Sequence, residues 1–279
     1  MDGFRTQRVP VDLLRTAIPE GGYVIDLLVS IVLRLSAIVL ASLGALCAGG
    51  VLLSYLFFPR AAATLLAVLS PEVTYFVETT VPLAALTIDD GPDRRDTPVI
   101  LDVLRAYNAR ATFFLIGRHV RGNEALLARM RREGHELANH TYDGRMSLFV
   151  PHAELASGLS ITHAVLSPFG EIRWLRPGSG LFSPAILKMA REKGYQLALG
   201  DVFPLDSGLS NPRFQRWYLL RHTQPGSIII LHDAEGRGVR TAAILHEVLP
   251  VLQSRGFKLV TLTELAALRL PPSARGPSS

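Results

Sequence analysis

The 279-residue sequence predicts an α/β fold preceded by one apolar helix. After Val81, short apolar stretches alternate with longer stretches whose apolar residues recur at helical spacing. Seven such strand–helix units fit between Val81 and Leu268, which favours a parallel α/β barrel or an open doubly wound sheet. Ahead of them, the segment 35–59 carries no charged residue, which sets it apart from the alternating body.

The composition bounds the class of protein. Hydrophobic residues make up 48% of the chain, the mean hydropathy is +0.27, and the formal net charge is +5. No run of Lys or Arg is long enough to predict a nucleic-acid-binding tail, so no nucleic-acid partner is expected. Cys47 is the only cysteine, which excludes an intramolecular disulfide and a cysteine-based zinc site.

The apolar segment 35–59 predicts a single transmembrane helix. Its roughly 24 residues extend about 36 Å as a helix, enough to cross a bilayer core of about 30 Å. Arginines precede the segment and Arg60 alone follows it closely, which predicts a cytoplasmic segment 1–34 and an extracytoplasmic body. A cleaved secretory signal and a buried soluble helix are the alternatives. The preceding arginines are Arg5, Arg8, Arg15 and Arg34.

The elements that follow are predicted from apolar period and from turn residues. Residues 60–80 form a predicted connector with one short helix, ended by Ser70 and Pro71. The predicted strands cover 84–88, 111–116, 135–139, 172–175, 195–199, 227–231 and 257–261. The predicted helices cover 97–107, 123–133, 151–166, 183–193, 213–223, 241–255 and 262–268. No dinucleotide fingerprint or phosphate loop interrupts them, and the tail 269–279 is expected to be disordered.

Polar side chains follow five of the predicted strands. In a parallel barrel these strand ends share one face, so carboxylates, imidazoles and a guanidinium are expected to meet there. Asp and His ligands together with a water suit a catalytic divalent ion, zinc before others. Each residue alone also fits an ordinary structural role, but their joint occurrence at strand ends favours a site. They are Asp89 and Asp90, His140 and Asp143, Arg176, Asp201 and Asp206, and His232 with Asp233.

Five stretches stand in the order of the motifs of one family. They read Thr87-Ile88-Asp89-Asp90-Gly91-Pro92, Ala111-Thr112-Phe113-Phe114, Gly134-His135-Glu136-Leu137-Ala138-Asn139-His140-Thr141, Arg176-Pro177-Gly178 and Leu231-His232-Asp233. Together they resemble the polysaccharide deacetylases, carbohydrate esterase family four, which include chitin and peptidoglycan N-acetylglucosamine deacetylases. The resemblance implies a distorted (β/α)7 barrel, with the catalytic domain over 81–268.

The resemblance also implies roles for five residues. Asp89 corresponds to the catalytic base, and Arg176 corresponds to the residue that orients it. Asp90 and His140 correspond to metal ligands. His232 corresponds to the general acid, which places the acid and the base on two different strands.

Two positions depart from the family pattern. The family has a second ligand histidine four residues after the first, and here that position is Gly144. Asp143 is the candidate substitute as the third ligand. The aspartate that supports the acid histidine corresponds to Asp201 or Asp206, with a slight preference for Asp206.

The expected function is hydrolysis of N-acetyl groups on amino-sugar residues of a glycan such as chitin or peptidoglycan. By the resemblance, a divalent ion, zinc in the first place, polarises the acetyl carbonyl for attack by water. The expected partners are the N-acetylated glycan and, through the N-terminal helix, a membrane; the oligomeric state is not predicted. The alternatives are a deacylase of another N-acyl or lipid-linked sugar and a non-catalytic glycan-binding protein that retains the barrel.

Overall fold

The computed structural model describes residues 22–268. The chain divides into two compact units, Met1–Leu53 and Ser54–Ser279. Helix α1, Gly22–Phe57, makes up the described part of the first unit, and its last four residues belong to the second. Within residues 22–268, no helix combines the length and the apolar character needed to cross a bilayer, so the transmembrane helix predicted over 35–59 is not confirmed. The segment 1–21 and the tail 269–279, predicted to be disordered, lie outside the described residues.

The second unit alternates strands and helices along the chain. Its strands are β1 (Val73–Thr74), β2 (Leu83–Asp89), β3 (Thr112–Leu115), β4 (Glu136–Asn139), β5 (Trp174–Leu175), β6 (Gln196–Ala198), β7 (Ile228–His232) and β8 (Lys258–Val260). Its helices are α2 (Pro59–Leu69), α3 (Asp96–Ala106), α4 (Gly117–Val120), α5 (Glu124–Arg132), α6 (His152–Leu166), α7 (Pro184–Glu192), α8 (Pro212–His222), α9 (Arg237–Ser254) and α10 (Leu262–Ala266).

The described strands form one parallel sheet in the order β1-β6-β5-β4-β3-β2-β7, and β8 pairs with the start of β2. Isolated bridges from Val202 to Ile229 and from Phe76 to Ser227 connect β7 to the chain that follows β6 and β1. These bridges link the two ends of the sheet, so the sheet curls into a distorted barrel. Because the strands are parallel, their carboxyl ends lie on one rim.

The side chains of β2 alternate between the outside and the inside of the barrel, as the two-residue period of a strand requires. The outward residues belong to the apolar core under the helices; they are Ala84, Leu86 and Ile88. Ala85 belongs to a second, smaller apolar cluster inside the barrel, and Thr87 and Asp89 share its side of the strand. All of these residues except Asp89 are 0% exposed, and Asp89 is 3% exposed. The barrel interior therefore becomes polar toward the rim.

All seven predicted strands are present, with ends that differ by two residues at most from the prediction. One additional strand, β1, was not predicted, because two residues are too few to show the alternation of a strand. It lies in the segment 60–80, which was predicted to be a connector, and pairs with β6. All of that segment lies in the second unit, together with the barrel.

Arg60 connects helix α2 to the barrel. Its Nε lies 2.7 Å from Oδ2 of Asp201, and its Nη2 donates to the hydroxyl oxygen of Ser227 at 3.1 Å. The guanidinium also lies over the ring of Phe76, 4.3 Å from its centroid. Asp201 is almost fully buried and accepts from the backbone N–H of Ile228, so this pair connects α2 to the chain that follows β6 and, through it, to the start of β7.

Candidate active site

Two adjacent carboxylates stand where β2 reaches the rim. Asp89 is the last residue of β2, and Asp90 follows it with a left-handed backbone, φ 77°. Adjacent residues of a regular strand point to opposite sides, and the left-handed turn at Asp90 breaks that alternation. As a result both carboxylates approach the same imidazole, that of His140, at 4.0 Å from Asp89 and 3.3 Å from Asp90.

Arg176 holds Asp89 from inside the barrel. Its Nη1 lies 2.6 Å from Oδ1 of Asp89 and donates to the hydroxyl of Thr87 at 2.8 Å. Its Nε and Nη2 donate to two backbone carbonyl oxygens at the end of β6, each at 3.1 Å. Four acceptors therefore hold the guanidinium, and Arg176 is only 2% exposed. This arrangement keeps the Asp89 carboxylate in one orientation.

His140 follows β4 and presents one ring nitrogen to the carboxylates. Its Nδ1 lies 2.8 Å from the carbonyl oxygen of Arg176, so Nδ1 carries a hydrogen and Nε2 faces Asp90. Burial lowers the pKa of His140, but the charges of Asp89 and Asp90 outweigh burial and raise it. Burial likewise raises the pKa of Asp90, but the contact with His140 and nearby positive charges outweigh it and lower that pKa to about 2.

His232 ends β7 beside Asp89, its register partner on β2. Its Nδ1 lies 3.0 Å from Oδ1 of Asp206, whose Oδ2 accepts a hydrogen bond from the His232 backbone N–H at 2.8 Å. Burial lowers the pKa of His232, and the contacts with Asp206 more than offset it, so the pKa is raised. Asp206 thus holds the ring in one orientation and favours its protonated form.

The structure brings Asp206, and not Asp201, to His232. The carboxylate of Asp201 accepts from the backbone N–H of Ile228 at 2.8 Å and faces Arg60, as described above. The two aspartates that the sequence left as alternatives therefore have different places: one supports the imidazole at the rim and one supports the attachment of α2.

The structure does not bring Asp143 to Asp90 and His140. Its carboxylate forms an ion pair with Arg145, and it lines a separate cavity beside α6. Gly144 does face the site, but with φ 73°, and a Cβ atom at this position would lie 2.7 Å from Cδ1 of Ile116. The position that the family pattern reserves for a third ligand therefore has no side chain, and a side chain there would need Ile116 to move and a backbone that favours glycine.

Arg237 is a site residue that the sequence did not indicate. It is the first residue of α9, and its Nη2 lies 3.0 Å from Oδ2 of Asp90. Its Nε donates to the backbone carbonyl oxygen of Ala234 at 3.2 Å. A single arginine at the start of a helix carries no local sequence signal, and only its position five residues after His232 could have indicated a role.

These groups line one cavity of about 450 Å³. Its polar residues are Asp89, Asp90, His140, Arg176, His232 and Arg237, and its apolar walls include Ala63, Leu66, Leu199, Phe203 and Ile230. A larger cavity of about 740 Å³ lies at the amino ends of β3, β4 and β8, and none of these polar groups lines it. We therefore place the chemistry in the smaller cavity at the carboxyl rim.

A barrel whose rim presents an arginine-held carboxylate and a carboxylate-held imidazole has the groups of an acid–base hydrolase. Residues 77–198 match the family model described as polysaccharide deacetylase. The chain belongs to the polysaccharide deacetylase family and, as a member, is an N-deacetylase, a hydrolase of carbon–nitrogen bonds other than peptide bonds.

Known relatives cover most of the barrel. A peptidoglycan-N-acetylglucosamine deacetylase of Bacillus cereus is 34% identical over 69% of this chain and 92% of its own length. A chitooligosaccharide deacetylase of Azorhizobium caulinodans is 31% identical over 63% of this chain and 91% of its own. The structure of a family pseudoenzyme from Bacillus anthracis superposes with a TM-score of 0.64 at 25% identity, over 70% of this chain and 69% of that one.

The family is generally metal-dependent. A catalytic zinc site ordinarily has three protein ligands and one open position. Here Asp90 and His140 are two suitable donors, and no group of three His, Cys, Asp or Glu side chains in the described part of the chain is placed to hold a metal ion. The residues present do not fit a three-ligand site.

Proposed function

We propose that this protein hydrolyses the N-acetyl group of N-acetylglucosamine residues in peptidoglycan or chitooligosaccharides. The observation that carries the proposal is the pairing of Asp89, held by Arg176, with His232, held by Asp206, on adjacent strands of one cavity. The named activities of the two relatives reported above support the choice of substrate.

Asp89 is the proposed base. Arg176 occupies its Oδ1, so Oδ2 is the atom left to accept a proton from water. As that proton transfers, the hydroxide oxygen adds to the acetyl carbon, and the carbonyl oxygen takes the negative charge. A base that the protein holds in one orientation lowers the entropic part of the activation barrier, because it does not have to be oriented during the reaction.

His232 is the proposed acid. Asp206 holds Nδ1, so the opposite ring nitrogen, Nε2, faces the cavity and carries the proton to be donated. That proton goes to the amide nitrogen, the carbon–nitrogen bond breaks, and the products are acetic acid and the free amine of a glucosamine residue. The zinc ion expected from the sequence stays a prediction, and none of these steps depends on it.

The proposal is tested by acetate release from chitooligosaccharides and from peptidoglycan fragments, with the full-length protein. We expect release by the wild type and by Asp102→Asn, a surface carboxylate about half exposed, and none above background by Asp89→Asn. Release by Asp89→Asn at the wild-type rate would overturn the role of the base. Parallel assays with N-formyl and lipid-linked amino sugars decide between this substrate and the other N-acyl sugars.

We also propose that the barrel works outside the cytoplasm. The arginines that precede the segment 35–59, set against the lack of charge within it, support this orientation. The test is protease access to a C-terminal tag in intact cells from which any outer wall has been removed. Loss of the tag is the expected result, and full protection until lysis would contradict the proposal.

A further inference from the structure

Arg237 brings a fixed positive charge to the side of Asp90 that faces away from His140. The two carboxylate oxygens of Asp90 are divided between partners: Oδ1 lies 3.3 Å from Nε2 of His140, and Oδ2 lies 3.0 Å from Nη2 of Arg237. The Arg237 side chain is 17% exposed and borders the cavity, so it is held by the protein on one side and open to a substrate on the other.

A second contact, with the backbone, holds the guanidinium in place. Its Nε donates to the carbonyl oxygen of Ala234, a residue in the left-handed turn between β7 and α9. Its Nη2 also lies 3.4 Å from Glu235, whose side chain is 83% exposed and therefore contributes little. The turn that follows His232 thus delivers Arg237 to Asp90, so the acid and the guanidinium come from the same connection.

A divalent ion at this place meets two obstacles. It has two protein ligands instead of three, since position 144 has no side chain and Asp143 is paired elsewhere. It also competes with Arg237 for Oδ2 of Asp90, and an arginine side chain does not give up its charge near neutral pH.

We propose that Arg237 is the resident cation of this active site and a catalytic residue. Its guanidinium contacts the acetyl oxygen and stabilises the negative charge that develops there, and deacetylation by this chain does not require an added divalent metal. The inference rests on the proposed function for the identity of the reaction. Arginine suits the task because its donors are planar and oriented toward a carbonyl or carboxylate oxygen.

The first test is kinetic. After removal of metals with a chelator and exchange into chelator-free buffer, we expect the wild type to keep its kcat within about two-fold. Arg237→Met is expected to lower kcat by about 10² to 10³, the usual effect of losing one donor to the developing oxyanion, with KM changed much less. Arg237→Lys keeps a charge without the planar fork and is expected to fall in between.

The matched control is Arg240→Met, which removes an exposed arginine from the same helix and is expected to leave kcat unchanged. Loss of wild-type activity on metal removal, with recovery on adding Zn²⁺, would overturn the proposal, and so would an unchanged kcat in both Arg237 variants. Melting temperatures identify a variant that has failed to fold. If Arg237→Met does not fold, the decision passes to Arg237→Lys.

The second test measures Zn²⁺ binding by calorimetry and needs no activity. We expect weak binding to the wild type and at least about ten-fold tighter binding to Arg237→Met, since Oδ2 of Asp90 is released.

Zinc binding as tight in the wild type as in Arg237→Met would show that Arg237 does not compete with metal, and would overturn the proposal. The two tests also separate the two inferences. If no glycan substrate is turned over by any variant, the proposed function fails, while the zinc titrations still decide whether Arg237 occupies the cation position.

Discussion

Arg176 and Asp89 form a nearly solvent-free ion pair, with Nη1 of the arginine 2.6 Å from Oδ1 of the aspartate and the two side chains 2% and 4% exposed. The arginine comes from the end of β5 and the aspartate from β2, two strands that are not neighbours in the sheet. The pair therefore crosses the interior of the barrel and joins the candidate base to the far side of the rim.

Replacing Arg176 by Met is expected to lower both stability and activity. Removing one partner of a buried pair leaves the other charge uncompensated, which costs about 3–5 kcal/mol of unfolding free energy. Urea unfolding measures this loss, and acetate release is expected to fall at least about 100-fold because Asp89 loses its fixed orientation. Arg173→Met removes an exposed arginine paired with Glu171 and is the control; it is expected to change neither quantity measurably. An equal effect of both variants would contradict the role of Arg176 as the residue that orients Asp89.

Replacing Asp206 by Asn is expected to reduce kcat by about 10² or more, because the acid ring loses the partner that orients it. The pH profile should also change. Asp206 raises the pKa of His232, and the protonated ring is the active form, so activity is lost as pH rises through that pKa. Without the carboxylate, the pKa falls and the basic limb of kcat/KM moves to lower pH.

Asp201→Asn is the matched control for that experiment. Asp201 is buried against Arg60 and the backbone of β7, so its replacement is expected to lower the melting temperature. The basic limb of the pH profile should stay in place, because Asp201 does not contact His232. A shift of the limb in Asp201→Asn but not in Asp206→Asn would reverse the assignment of the two aspartates.

The place of Asp143 can be tested by metal titration. We expect Asp143→Ala to leave the Zn²⁺ affinity within about two-fold of the wild type, since its carboxylate pairs with Arg145 and lines another cavity. His140→Ala, by contrast, is expected to abolish the residual binding. Calorimetry distinguishes the two, and a clear loss of affinity in Asp143→Ala would show that the loop rearranges to bring Asp143 to the metal.

His135 makes folding stability depend on pH. It is 1% exposed, its Nδ1 accepts from the backbone N–H of Ala111 at 3.2 Å, and burial lowers its pKa to about 4. The unfolded chain, with an imidazole pKa near 6.5, binds the proton more readily, so stability is fully present above about pH 6.5 and is lost as pH falls toward 4. The expected loss is about 3 kcal/mol.

The measurement is urea unfolding at several pH values between 7 and 4. His135→Asn keeps an acceptor near Nδ1 and should flatten the pH dependence across this window, whatever its overall stability. His152→Asn, an exposed position at the start of α6, should leave the wild-type slope intact. The same slope in wild type and His135→Asn would mean that another group controls the acid response.

The local chemistry of the chain determined the order and the type of most elements. Apolar runs bounded by glycine or by polar residues marked seven strands because burial on both faces requires an apolar run, and these signals need no distant partner. The same holds for the placement of Asp89, His140, Arg176 and His232 at strand ends. The two-residue strand β1 was not predicted, because its pairing with β6, and not its own sequence, makes it a strand.

Closure of the barrel decided what each polar residue does. Asp201 and Asp206 are both aspartates and are close in sequence, yet only Asp206 reaches His232. Between them, Val202 bridges to Ile229 of β7, and Asp201 faces Arg60 instead. Position 144 is a glycine and has no side chain to offer, whereas Asp143 is kept from the site by its ion pair with Arg145. Arg237 became a site residue because the turn after β7 aims it at Asp90. Residue type and spacing are set along the chain, whereas distances between charges are set by packing across the sheet.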